Sequence, residues 1–361
     1  MAIAIVGARN WVVTRPPSHA KLARFIRATE GAMRFGLMLP SFSFARDYAT
    51  VARLREFATR AEAMGFEGVW CAEHLLTARG LYGTAWLSPL ETLAFAAGCT
   101  SRIRVGTCIL IPPIRNPVFL AKEIASLHML SGGRYELGVG VGWDAREFAA
   151  AGVKLGERGG RTDEILDIFA KLWTGEEVTH HGRYYDFERV AIDPPLPTRP
   201  RLWVAGGSKI KTDLSPDPEV IAPSVLERIC RRADGWIARA AGSNESVIAD
   251  WAQITRRLDE IGRPRGSVTF AHVNMTHIVP TDDEAAALKI QRPLIERVMG
   301  THRSFEHLRT CYLLGTPAQI RGRIAELAEA GLEYLMLSPL GYDLEQLDLW
   351  EAELLPYFRD R

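Results

Sequence analysis

The sequence predicts an α/β fold, a single (β/α)8 TIM barrel with insertions at the barrel mouth. Eight short apolar runs alternate with helical stretches. The runs are continuously apolar, which suits parallel strands covered by helices on both faces. Eight such repeats within 361 residues fit one barrel. A doubly wound sheet with an added domain is the alternative that the same alternation permits.

The first strand is expected over 34–39 (RFGLML), directly after Met33. Residues 1–32 precede the repeat and are expected as a loosely attached extension, or as an upstream start read in error. Their apolar opening is interrupted by Arg9 and follows no basic segment, so it makes a poor signal peptide. The barrel domain is therefore placed at 33–361. A helix follows over 49–64, where Val51, Leu54, Ala58 and Ala61 form one stripe and Gly65 is the stop. The second strand is 68–72. "SPLE" at 88–91 reads as a capping box with Pro89 at the first helical position. The third and fourth strands are 103–110 and 134–141.

The stretch 174–200 breaks the alternation. Within it, VTHHGRYYDF reads as a hairpin turning at Gly182, followed by an extended Pro-rich tail. Such an insertion shapes a barrel mouth or a dimer contact. The remaining strands are 201–205, 235–238, 268–278 and 334–338. A polar, Pro-rich segment at 207–223 is expected as a mobile loop. Thr316 and Pro317 open a helix with Ile320, Ile324 and Leu327 on its inner stripe and Gly331 after it.

Charge narrows the partners. Lys+Arg number 44 against Asp+Glu 43, so no field of one sign favours nucleic acid or an anionic membrane. No apolar run is long enough for a transmembrane helix. Five dispersed cysteines without a CxxC pair point to reduced thiols in a cytoplasm. No Cys/His/carboxylate spacing suggests zinc, and no metal is expected.

In a TIM barrel, chemistry sits at the C-terminal strand ends. Strand two ends in Glu73-His74, strand three near Thr107-Cys108-Ile109, strand four in Gly140, Gly142 and Trp143, and strand five in Gly206-Gly207-Ser208. Strand six carries Asp234-Gly235-Trp236. Each has a plainer reading beside the functional one. His74 is an acid–base group or a satisfied hydrogen-bonder. Glu73 takes part in chemistry or pairs with an arginine. Trp143 and Trp236 are ligand walls or core aromatics. The glycines admit a flat ligand or a phosphate, or another backbone. His180, His181, His272 and His277 are expected in solvent, and His128 and Met129 as helix packing residues.

These blocks together resemble the bacterial luciferase-like superfamily of TIM-barrel oxidoreductases, which use FMN or the deazaflavin coenzyme F420. The matching stretches are MRFGLMLP, AEAMGFEGVWCAEHLL, SRIRVGTCILIPPIRNPVFLAKEIASLHMLSGGRYELGVGVGWDAREFAAAGV, RGGRTDEILDIFAKLWTG, RLWVAGGS and ADGW, spanning about 34–240. The resemblance implies that His74, preceded by Trp70 and Glu73, lies beside the reactive ring. The pair is Glu-His here, as in FMN relatives, where many deazaflavin members have Asp-His. Thr107, Cys108 and Ile109 match a strand with a bulge and a non-proline cis peptide behind the ring. Gly140, Gly142 and Trp143 match the strand end flanking it, which makes a flavin or deazaflavin the expected neighbour of these glycines. Gly206, Gly207 and Ser208 match a phosphate-binding block. A second such block often reads RYxxxDE; Gly159 stands in place of its tyrosine, so Arg158 and backbone N–H groups are implied instead. The RGGR form looks more like the deazaflavin branch.

The resemblance implies an oxidoreductase. With reduced FMN and O2 it is a monooxygenase acting on a small organic substrate and fed by a separate flavin reductase; this is the leading reading. With coenzyme F420 it transfers a hydride, with His74 or Glu73 as acid or base. A non-catalytic flavin-binding barrel is the third reading; its mark would be loss of the strand-two histidine, which is present. The family favours homodimers. Leu81, Tyr82 and Trp86 point to an apolar or aromatic substrate.

Overall fold

The computed structural model describes residues 33–44, 46–77, 84–208 and 220–359. The expected extension at 1–32, Leu81 and Tyr82, and 209–219 of the expected loop lie outside the described residues. Eight parallel strands follow the eight apolar runs: β1 (Arg34–Met38), β2 (Gly68–Cys71), β3 (Arg104–Thr107), β4 (Tyr135–Val139), β5 (Arg201–Gly206), β6 (Gly235–Ala238), β7 (Thr269–Thr276) and β8 (Tyr334–Pro339). Each pairs with the next, and β8 closes on β1 in the register Arg34↔Tyr334. Closure rules out the open doubly wound sheet.

Local signals explain most helix boundaries. Thr50 caps the helix Val51–Ala63 by accepting from Arg53 N–H, and Leu54, Phe57, Ala58 and Ala61 face the core. Val51 departs from the expected stripe: it is exposed in the first turn, where Phe57 takes up the buried face. Gly65 follows in the left-handed region, at φ +73°. The helix Pro89–Cys99 starts as expected, but Ser88 makes no cap to its backbone; its hydroxyl donates to the Glu91 carboxylate. Thr316 and Gln319 form a reciprocal capping box at Pro317–Glu329, which buries Ile320, Ile324 and Leu327.

Aromatic side chains plug the lower barrel. Trp70, Trp203 and Tyr334 meet there, with Trp70 Nε1 donating to Tyr334 Oη at 2.7 Å and Trp203 Nε1 to Glu136 Oε2 at 2.6 Å. Gly106 lies against the Trp70 ring and Gly235 against Trp203, where a Cβ would overlap the indoles. Trp236 faces outward and stacks with Trp251 and Phe270, so it is a core aromatic.

Insertions dress the mouth and flank. Phe42–Phe44, Asp47–Tyr48 and Thr84–Trp86 form a small antiparallel sheet. Phe42 and Phe44 pack with Ile295, Met299 and Tyr312 from the segment between β7 and β8. The strands Val178–His181 and Asp186–Val190 form the expected hairpin, with Gly182 N–H donating to Tyr185 O. It docks on the helix Arg158–Leu172, where Glu164 accepts from the Tyr184 and Tyr185 amides.

Several histidines correct the sequence reading. His180 is buried, 3.2 Å from Glu164 Oε1, whereas His181 is exposed. His272 is buried on β7 and His277 is partly so. Met129, expected to pack, is exposed.

Candidate active site

His74 lies in the loop leaving β2, at the C-terminal mouth. Its ring contacts Trp86, at a centroid distance of 4.6 Å, and Trp143, at 5.9 Å. Trp143 is 47% exposed, so it belongs to the open rim and not to the core. His74 Nδ1 lies 3.3 Å from Glu147 Oε1. Glu147 is fully buried on the short helix Ala145–Ala150.

Glu73 turns to a different set of partners. Arg115 Nε donates to Glu73 Oε1 at 3.1 Å, and Ile111 N–H donates to Oε2. Burial pushes the Glu73 carboxyl upward, while the Arg115 guanidinium and the Ile111 amide oppose that shift. Its carboxylate joins the loops after β2 and β3, as the plainer reading of Glu73 expected.

Between those loops, β3 breaks. The strand stops at Thr107, the Cys108–Ile109 peptide is cis, and Leu110 resumes a parallel bridge with Val139 of β4. Thr107 does not offer its hydroxyl to the mouth. It is buried and spans the gap to β4, donating to Gly138 O at 2.8 Å and accepting from Gly138 N–H at 3.0 Å. Cys108 faces the barrel interior, where burial pushes its thiol up to about 12. Ile109 packs partly on the same interior cluster.

The glycines in and just after β4 answer to this break. A Cβ on Gly138 would overlap Thr107 O, and one on Gly140 would overlap the Ile109 side chain. Gly142 has φ +75°, and its Cβ would lie 2.8 Å from Ile111 and 3.0 Å from the Phe148 ring. What stands against this strand end is therefore the break in β3 and the residues after it. These glycines are required by close packing between neighbouring strands.

The other expected block lies across the mouth. Ser208 N–H donates to Asp250 Oδ2 at 3.0 Å, and a Cβ on Gly207 would overlap the same carboxylate oxygen. A Cβ on Gly206 would lie 2.7 Å from Val225. Gly159 sits at the start of the helix Arg158–Leu172; its carbonyl accepts from Arg228 Nη2 at 3.1 Å. Arg228 and Val225 share the helix Pro223–Arg232, so both glycine blocks abut one element.

Four buried polar atoms near these blocks lack a protein partner: Arg158 Nε, Ser208 Oγ, and Arg239 Nε and Nη1. Arg239 follows β6, and its third nitrogen donates to Ser246 Oγ at 3.2 Å. Orphaned donors of this kind call for a partner outside the protein, whether an ordered water, an ion or a ligand's acceptor. Sequence reading missed both Arg239 and Glu147. The only signal for Glu147 is an acidic residue four positions beyond the glycine-rich strand end.

No helix among the described residues is long and apolar enough to cross a membrane. Among the described residues no cluster of His, Cys, Asp or Glu could hold a metal ion.

Comparisons with known proteins agree with this architecture. The F420-dependent glucose-6-phosphate dehydrogenase of Kineococcus radiotolerans is 27% identical over 85% of this chain and 93% of its own length. An F420-dependent secondary alcohol dehydrogenase, solved with an F420–acetone adduct, superposes with a TM-score of 0.73 at 18% identity, over 91% of this chain and 100% of its own. The oxygenating constituent of 3,6-diketocamphane monooxygenase from Pseudomonas putida, solved with FMN, gives 0.68 at 21% identity, over 90% and 99%. The family described as luciferase-like monooxygenase matches residues 33–217, and the chain belongs to that family.

Proposed function

We propose that this protein is an F420-dependent oxidoreductase that moves a hydride between the deazaflavin and a small organic substrate, with His74 holding the accompanying proton. The observation that carries this reading is the placement of His74 at the mouth, in contact with two tryptophan rings and backed by a buried carboxylate. The similarity to an F420-dependent dehydrogenase along nearly its whole length supports the choice of cofactor.

The residues present fit a flat ring that carries a phosphate. Arg158, Ser208 and Arg239 would hold the phosphate end with their orphaned atoms, helped by backbone at Gly159, Gly206 and Gly207. Cys108, Ile109 and Trp143 would lie along the ring, with Gly140, Gly142 and Thr107 supporting them from behind. When bound, the deazaflavin supplies a hydride acceptor or donor. Trp86 and Trp143 keep water from His74 and favour an apolar or aromatic substrate. His74 takes a proton from the substrate or returns it. Glu73 has a positioning role: its pair with Arg115 fixes the loop that carries His74.

A second reading is favoured by the fold shared with an FMN-bound monooxygenase. In it the same residues hold reduced FMN, delivered by a separate flavin reductase, and O2 is consumed. In either case we place residues 33–361 as one catalytic domain in a cytoplasm. A homodimer is supported by Phe119, Met129 and Leu130, which are exposed on one helix, Pro117–Leu130.

Titration of the purified protein with F420 and, separately, with reduced FMN tests the cofactor. The proposal expects at least roughly tenfold tighter binding of F420, or about 1.4 kcal/mol. Tighter binding of reduced FMN would move the assignment to the second reading, and binding of neither would remove both.

A further inference from the structure

We infer that Glu147 is the positioning residue of His74, fixing its imidazole as the Nδ1–H tautomer so that Nε2 is the atom that takes and returns the substrate proton. The inference rests on the role proposed above for His74.

Three observations converge on this. First, a single carboxylate oxygen, Glu147 Oε1, accepts Leu76 N–H at 3.1 Å and faces His74 Nδ1 at 3.3 Å. Leu76 is two residues beyond His74, so this oxygen is tied to the backbone of the loop that carries the ring. A carboxylate only accepts, so the ring nitrogen facing it must carry hydrogen. Second, Glu147 itself cannot drift. It is fully buried, and Asp144 anchors the start of its helix by accepting from Arg146 N–H at 3.0 Å. Third, the imidazole is in ring contact with both Trp86 and Trp143, and close neighbours of this size hinder a ring flip that would exchange the two nitrogens.

The other oxygen, Glu147 Oε2, is buried without a hydrogen-bond partner. A half-satisfied buried carboxylate is expensive by itself and gains most from a cation beside it. Protonation of His74 supplies that cation. When a substrate hydroxyl gives its proton to Nε2, the O–H bond breaks, its electron pair stays on oxygen, and a new N–H bond forms. The Nδ1 hydrogen stays where it was, and the imidazolium is balanced by Glu147. In the reverse direction Nε2 returns the proton and the ring becomes neutral again. This is the base-and-orienter arrangement that activates side chains in many unrelated sites.

Long-range 15N–1H correlation spectra of the imidazole ring, recorded on full-length 15N-labelled protein without substrate, read the tautomer directly. His74→Ala assigns the signal. The expected wild-type state of neutral His74 is Nδ1–H. In Glu147→Leu it should change to Nε2–H, the form that free histidine prefers in water. Glu147→Gln keeps an amide oxygen for Nδ1–H and should retain the wild-type tautomer. Turnover in Glu147→Leu should fall by about 10²–10⁴-fold, the scale of a general acid–base contribution, with KM changed by less than about threefold if substrate binding is untouched. An Nε2–H signal in the wild type overturns the inference without any variant. So does an unchanged Nδ1–H signal in a folded Glu147→Leu protein. The tautomer is read in the resting protein, so it stands apart from the reaction. If the tautomer shifts as expected while His74→Ala keeps full activity, the role proposed for His74 fails and the geometry survives.

Discussion

Gly140, directly after β4, is fitted to Ile109 on the neighbouring strand break: a Cβ on the glycine would overlap the isoleucine Cδ1. The contact turns a run of glycines into a packing requirement. Gly140→Val should force Ile109 off its position and cost about 1–3 kcal/mol, the usual penalty for overpacking. Urea unfolding measures the loss. A variant as stable as the wild type would show that the mouth has slack that this contact denies.

Glu73 and Arg115 form a mostly buried pair with the Ile111 amide as a third member. Removing only the carboxylate leaves the Ile111 amide without its acceptor and the Arg115 guanidinium with only Glu123, 3.9 Å away. Glu73→Ala should therefore lose about 3–5 kcal/mol in chemical unfolding. A loss below about 1 kcal/mol would mean that water replaces the carboxylate at little cost and that the pair does not fix the loop.

His272 makes stability depend on pH. Leu313 N–H donates to Asn274 Oδ1, which orients the Asn274 amide so that its Nδ2 faces His272 Nε2 at 2.9 Å. The ring is thereby held neutral, with Nε2 accepting and Nδ1 donating toward Ala238 O. Burial, with a smaller push from Arg323 and Arg239, brings its pKa down from 6.5 to about 4. Between these two values the unfolded chain binds a proton that the folded chain refuses. Stability from this group is present above 6.5 and is lost as the pH falls toward 4, with a slope of at most about 1.4 kcal/mol per pH unit. Thermal or urea unfolding across that range should be steeper in the wild type than in His272→Gln. Equal slopes would assign the acid sensitivity to other groups.

Gly207 meets Asp250, the carboxylate that holds Ser208 N–H. Gly207→Val should displace that carboxylate, move Ser208, and weaken cofactor binding by more than about tenfold while the barrel stays folded. Unchanged affinity in a folded variant would place the phosphate elsewhere.

How much of this could be read beforehand differs between scaffold and site. The eight strands are legible because a parallel strand buried on both faces must be apolar along its whole length, whatever its neighbours are. The mouth position of His74 follows from its place just past such a run. The β4 glycines are less transparent. Their alternation signals close approach, but the approaching group is the broken β3 strand, and nothing in residues 138–142 distinguishes it from a ligand. The partners of Glu147 and Arg239 are silent for a related reason. Each matters through residues far away in the chain, Glu147 through His74 and Leu76 and Arg239 through the Gly207-Ser208 loop, and one sequence carries no trace of such pairings. Val51 shows the local limit: helical spacing puts it on the stripe, but the first turn of its helix lies beyond the covered surface.

The central claim is hydride transfer to F420 with His74 handling the proton. The most direct test follows F420 absorbance under anaerobic conditions, with a panel of small apolar and aromatic alcohols, in the wild type and in His74→Ala. The wild type should bleach oxidised F420 with at least one alcohol. His74→Ala should bind F420 within about tenfold of the wild type yet bleach it about 10²–10⁴-fold more slowly. Equal rates in the two proteins, or no bleaching with any alcohol in the wild type, would contradict the account.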